Sequence, residues 1–282
     1  MRAIPGKRFR YARAALLWCT IIMTVVGVGF PLFWMMVSSV MPYTELFSRS
    51  LWLLPKHPTL QHYYDLLTRT TFPVYFKNSV IVAVMATVGA VSLAVLAGYG
   101  FTRFKFRGRS LIANSVIFTY MFPPILLSIP LFVLLKQLGL VNSYVGLAFA
   151  HIAFVLPLAM WLAIIFFQAI PVALDEAAMV DGASRLQALY LVVFPLAIPG
   201  IVATAVFVFV ISWNDYLFSL VLMVDESLKT LPVGVAGYMD ATSVEWGLMM
   251  AGGVLITLPI VIWFVIVQRY LIQGLSAGAI KG

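Results

Sequence analysis

Charge is scarce in this chain. Only 10% of its 282 residues are Asp, Glu, Lys or Arg, while 63% are hydrophobic; soluble domains carry about a quarter charged and about half apolar residues. Too little polar surface is available to cover a globular core, so a soluble protein is excluded and the chain reads as an integral membrane protein. Cysteine is nearly absent: Cys19 stands alone inside the first apolar run, which excludes an intrachain disulfide framework and a Cys-based metal site. The three histidines, His57, His62 and His151, share no i, i+4 spacing; a helical metal site finds no support, and packing or interfacial roles are expected. No cluster of His, Asp and Glu and no nucleophile constellation suggests a membrane enzyme or a catalytic residue. The formal net charge of +8 does not point to nucleic acid either, because the basic residues sit at the ends of apolar runs, where they report topology.

What is present is a series of long apolar segments. A helix crossing the hydrocarbon core needs roughly 20 mainly apolar residues, and six segments satisfy this: about 14–37, 79–101, 111–135, 144–168, 196–223 and 247–268. The runs are continuous rather than alternating, which favours helices over barrel strands. The first follows Arg2, Lys7, Arg8, Arg10 and Arg13 as a signal peptide's apolar region would, but it exceeds the roughly 7–15 residues of such a region and lacks a convincing cleavage site, so a retained span is expected. Pro31, Pro123, Pro124, Pro130, Pro157 and Pro259 should each bend or locally unwind a span. Gly27, Gly29, Gly98, Gly100, Gly252 and Gly253 should let helices approach closely.

Six spans place both termini on one side, and that side collects 12 of the 18 basic residues against 6 on the other. The positive-inside rule puts both termini in the cytoplasm. The expected organisation is a basic cytoplasmic segment at 1–13, a transmembrane domain at 14–270 and a cytoplasmic tail at 271–282. The outer stretch at about 38–78 carries Trp52, Tyr63, Tyr64, Phe72, Tyr75 and Phe76, an aromatic set suited to an interfacial layer.

Between spans four and five, on the cytoplasmic side, lies Glu176-Ala177-Ala178-Met179-Val180-Asp181-Gly182-Ala183. Pro171 suits a helix's first turn, and Asp175 and Glu176 complement the positive end of its dipole. The small residues Ala177, Ala178, Gly182 and Ala183 let such a helix sit deep in a groove; an ordinary amphipathic loop helix is the plainer alternative on composition alone.

Glu-Ala-Ala, then Asp-Gly-Ala, then Phe194-Pro195-Leu196 and Pro199 resembles the cytoplasmic signature of permease subunits of binding-protein-dependent ABC importers. Asn78-Ser79, Trp213-Asn214-Asp215 and the terminal segment from Arg269 to Gly282 are similar to its carbohydrate-uptake, MalG-like branch, and the resemblance spans nearly the whole chain. Phe194 departs from the leucine more usual before the proline, a conservative change. The resemblance implies an all-α membrane protein with the six-helix bundle of type I (MetI-like) importers. It implies a coupling helix at about 171–188 that enters a cleft of a cytoplasmic ATPase, with Glu176 and Gly182 central and Ala177, Ala178, Asp181 and Ala183 beside them. Gly278 and Lys281 in the tail would reach the ATPases.

The resemblance also implies the partners: a second, MalF-like permease subunit, two ATP-binding subunits, an extracytoplasmic solute-binding protein and the lipids of a bacterial inner membrane. No Gly-x-x-x-x-Gly-Lys-Ser/Thr loop is present, so ATP and its Mg are expected on the partner ATPase and no cofactor on this chain. Asp215 is the acid expected to lie within the membrane, a functional position by default. With Trp213, Asn214 and Tyr216 it offers hydrogen-bond groups and an aromatic face suited to a sugar pathway, against a structural role at a bend or a partner contact. Two other functions stay open at this point: a stand-alone secondary transporter, whose folds usually carry repeats, discontinuous helices and intramembrane charges, and an ABC permease for a non-sugar solute.

Overall fold

The computed structural model describes residues 7–46, 54–239 and 245–279. The described residues are helical throughout their ordered elements, with no β-strand among them, as a backbone in lipid must be when it satisfies its own hydrogen bonds. By internal contacts the chain divides into two units, residues 1–70 with 238–255 and residues 71–237 with 256–282.

The first unit holds α1 (Lys7–Ser38), α2 (Tyr43–Leu46) and α3 (Gln61–Thr68). The apolar part of α1, Leu16–Ser38, turns Leu17, Trp18, Met23 and Val28 outward; apolar faces all round suit a helix solvated by lipid. His62 is its fixed point. The ring is fully buried, with Nε2 2.7 Å from the Met41 carbonyl and its face met edge-on by Tyr43 at 4.5 Å. A Cβ on Gly247 would lie 2.1 Å from the ring, so only glycine fits there.

The second unit contains α4 (Phe72–Arg103), α5 (Arg109–Thr119), α6 (Pro124–Gln137), α7 (Tyr144–Gln168), α8 (Ala173–Val180), α9 (Arg185–Ala188), α10 (Phe194–Trp213), α11 (Leu217–Leu222) and α12 (Leu231–Ala236). The last helix, α13 (Trp246–Ala279), begins in the first unit and ends in this one. Its core is the seam between α4 and α7. Buried Ala90, Ala94 and Gly98 recur every fourth residue on α4, against Val155, Ala159, Ala163 and Phe167 on α7. Small side chains at that spacing line one helical face and allow close approach. A Cβ on Gly98 would meet Ala163 Cβ at 2.9 Å. Around Gly27, Gly29 and Gly100, by contrast, an added Cβ meets nothing within 4 Å; these three glycines do not serve close packing within the chain. α10 closes the core with Ala197 and Val208.

Among the described residues five helices are long and apolar enough to span a membrane, or six when α5 and α6 count as one bent span. The expected third span is thus two helices meeting at 97°. Pro124 starts the second of them and has no amide hydrogen to continue the first. The fifth span also differs. It starts at Arg185 and ends at Trp213, with α11 set apart beyond a break at 214–216. Phe72 and Tyr75 are buried at the start of α4 instead of forming an outer aromatic layer, and Trp52 lies outside the described residues.

The loop that follows α11 is tied to α4. Asn78 Nδ2 donates to the carbonyls of Ser227 (2.9 Å) and Lys229 (2.8 Å), while Tyr144 donates its hydroxyl to Asn78 Oδ1 (2.7 Å). Ser79 Oγ accepts from the Leu231 amide at 2.8 Å. Tyr75 and Lys229 both donate to Glu226; these bonds, Lys229's first, hold its carboxyl below the usual carboxylate range.

Candidate functional site

α8 is shorter than the helix expected over 171–188. It ends at Val180 because the next three residues build a complete C-terminal cap. Gly182 takes φ +92°, its amide donates to the Met179 carbonyl (3.1 Å), and the Ala183 amide reaches back to the Ala178 carbonyl (3.0 Å). That pair of bonds is the Schellman arrangement, in which a left-handed residue, usually glycine, satisfies the last carbonyls. Asp181-Gly182-Ala183 is therefore a stop signal. Ser184 then caps α9, accepting from the Gln187 amide (3.3 Å) while Gln187 Oε1 accepts from the Ser184 amide (2.7 Å), a capping box that restarts the chain.

α9 enters α10 through a π-helical turn, Leu189–Val193. Pro195 cannot donate to the carbonyl four residues back, and the wider turn, closed by the Phe194 amide on the Leu189 carbonyl, accommodates the loss.

The two acids of α8 diverge. Glu176 is exposed, as are Ala177, Asp181 and Gly182, with Ala178 and Ala183 half-buried. Asp175 turns inward and is the only buried residue of the helix. Its Oδ2 lies 2.7 Å from Arg103 Nε, with side-chain exposures of 4% and 3%. The contact is an ion pair by distance, without the alignment of a hydrogen bond. Arg103 also donates from Nη1 to the Phe167 carbonyl (3.3 Å) and from Nη2 to the Ile170 carbonyl (3.1 Å). Tyr99, one turn earlier on α4, has its hydroxyl 3.1 Å from Asp175 Oδ1 and 3.3 Å from the Arg185 carbonyl. The charges run in a consistent order: the negative end of α7, Arg103, Asp175, then the positive end of α8. Arg185 places its guanidinium over the Phe104 ring at 5.1 Å, a cation–π contact. Tyr99 and Arg103 lie outside the sequence motif; their i, i+4 spacing at the end of a span is the signal that points to them.

The second candidate group divides. Trp213 is 1% exposed, stacked on Phe209 (5.5 Å) and edge-on to Phe76 (5.6 Å), with Nε1 donating to the Ile256 carbonyl at 3.1 Å. Asn214 and Tyr216 are exposed. Asp215 bridges the break: it accepts from the amides of Phe218 (3.4 Å) and Ser219 (3.0 Å) at the start of α11, and its Oδ2 lies 3.1 Å from His151 Nε2. His151 Nδ1 pairs with Ser212 Oγ at 2.6 Å. A cavity of about 40 Å³ borders this cluster, walled by Pro124, Phe154 and Phe218. His151 is thus a bonded polar partner rather than packing. Gly278 falls within α13, and Lys281 lies outside the described residues.

Long apolar helices carrying a short, largely exposed helix, with a buried ion pair joining that helix to α4, describe a multi-pass membrane protein. Residues 90–277 match the family described as binding-protein-dependent transport system inner membrane component, and the chain belongs to that family, as a multi-pass membrane permease of an ABC importer. It is 38% identical over 273 residues, 96% of this chain and 97% of the relative, to the trehalose/maltose transport system permease protein MalG of Thermococcus litoralis. The trehalose transport system permease protein SugB of Mycobacterium tuberculosis is 35% identical over 274 residues, 96% of this chain and 99% of that one. Among solved structures, a chain of a bacterial ABC transporter involved in the import of the acidic polysaccharide alginate superposes with a TM-score of 0.82 at 22% identity, covering 95% of this chain and 99% of that one; this likeness shows the fold.

Proposed function

We propose that this permease imports a sugar or sugar derivative delivered by an extracytoplasmic solute-binding protein. It pairs with a second, different, MalF-like permease subunit and two ATP-binding subunits. Both termini face the cytoplasm of a bacterial cell, and ATP with its Mg is bound and hydrolysed on the partner ATPases. The observation that carries the reading is the division of α8 into an anchored side and an outward side. Glu176 faces outward beside Val180, which is 86% exposed, and Leu186, which is 63% exposed. Apolar side chains exposed beside a carboxylate support reading this face as the one a partner covers. Trehalose, maltose and diacetylchitobiose in the names of the relatives support a sugar as solute. Asn214 and Tyr216 are the side chains that meet it; Asp215 sets the break that presents them.

The test is reconstitution with the ATPase and binding protein in proteoliposomes, followed by uptake of labelled disaccharides. ATP-dependent uptake that needs the binding protein is the expected result; ion-gradient-driven uptake without ATPase would refute it. In a Cys19→Ser background, a cysteine at position 282 should react with an impermeant reagent only after permeabilisation. Labelling in intact spheroplasts would reverse the topology.

A further inference from the structure

α8 has eight residues, and its one buried side chain is a carboxylate. A surface helix usually grips its protein through an apolar stripe; the side chain this one buries is Asp175, against Arg103. Arg103 in turn belongs to α4 and holds two carbonyls at the end of α7, and α4 and α7 form the most extensive seam of the unit. A planar guanidinium is the side chain able to meet a carboxylate and two carbonyls at once in fixed directions. Stability alone does not account for the choice, since well-packed apolar residues replace buried ion pairs at little or no cost.

We propose that Arg103, Asp175 and Tyr99 are the positioning residues through which displacement of α8 is passed to α4 and α7. The proposal rests on the reading of α8 as the ATPase-engaging element and names the joint behind it. Apolar contacts slide, whereas a buried charge pair flanked by directional hydrogen bonds, from Arg103 to the α7 end and from Tyr99 to Asp175, makes the three segments move together. Tyr99 extends the joint to the Arg185 carbonyl, and so to the head of the next span.

The experiment uses the complete transporter in proteoliposomes and measures three quantities: ATPase retained on co-purification, ATP hydrolysis, and solute taken up per ATP hydrolysed. The variants are Asp175→Asn, Arg103→Gln, the paired Arg103→Met with Asp175→Leu, and Tyr99→Phe. Because the joint faces inward, each should retain the ATPase. Uptake per ATP should fall about tenfold in the charge variants and about twofold in Tyr99→Phe, the range over which residues along a coupling route act. A wild-type uptake ratio in the paired variant would overturn the proposal, as would loss of uptake matched by loss of ATPase, which marks a static staple. If charge removal prevents insertion, Tyr99→Phe decides, and an unchanged ratio there overturns it. Glu176→Lys tests the underlying reading separately: retained ATPase with normal coupling in that variant would remove α8 as the engaged element, whatever the joint does.

Discussion

Replacing Gly182 separates two roles that one residue combines. Its φ of +92° costs an L-residue about 1–2 kcal/mol. An added Cβ would meet nothing within 4 Å, so no clash within the chain enlarges that figure. The expected penalty for Gly182→Ala is thus conformational and confined to the cap between α8 and α9. Asn, which tolerates the left-handed region, should lose less; Val, branched at Cβ, should lose most. Hydrogen exchange at the Ala183 amide, bonded to the Ala178 carbonyl at 3.0 Å, reads the cap directly. A penalty of about 1–2 kcal/mol corresponds to about 5–30-fold faster exchange in Gly182→Ala. Equal exchange in the Asn and Val variants would refute the conformational account. Gly182→Asp adds charge to the outward surface: released ATPase or uncoupled hydrolysis with only a modest change in exchange would assign the defect to docking, and wild-type coupling would show that this segment is not the ATPase-engaging element.

Three further outcomes are expected. Gly98→Val should force α4 from Ala163 and cost about 1–3 kcal/mol by overpacking, read as a lower melting temperature of the detergent-solubilised protein; an unchanged value would mean the seam yields. Asp215→Ala should weaken uptake while leaving assembly and basal hydrolysis nearly intact if the 214–216 break serves the solute, whereas loss of assembly would give Asp215 a purely structural role. The Glu226 carboxyl is held below its ordinary value of 4.5 by Lys229 and Tyr75, so its contribution to the fold is present above that pH and is lost as pH falls through the depressed value. Exchange of the 225–231 amides should therefore be flat from neutral pH down to about 4.5 after correction for intrinsic rates, and rise only in stronger acid; a rise near pH 6 would assign the loop to another group.

The run lengths in the sequence mark α1, α4, α7 and α13 correctly, because uninterrupted apolar segments leave little freedom in lipid. Pro123 and Pro124 flag a break in the third span but not its angle, which depends on packing. The apolar run places the fifth span at about 196–223; the π-helical turn that carries the helix back to Arg185 has no pattern of its own. Adjacent acids point in different directions on a helix, so Asp175 and Glu176 could not share a face, yet only Tyr99 and Arg103, more than 70 residues away, decide which turns inward. His151 meets Ser212 and Asp215 across a similar separation. Discontinuous helices and buried charges are present here as they are in secondary transporters, so it is the family match that sets the class.

The π-helical turn at Leu189–Val193 has a consequence for how such chains are cut and joined. It amounts to one residue more than a regular helix would hold, and one residue is about 100° of rotation and 1.5 Å of rise. The azimuth of Glu176 about the fifth span is therefore set by a count, much as the phase of a screw is set by its thread. A chimera that grafts α8 and α9 onto another fifth span must keep the number of residues between Ala188 and Pro195. Losing one would leave every side chain of α8 and α9 in place and swing the outward surface by more than a quarter of a turn.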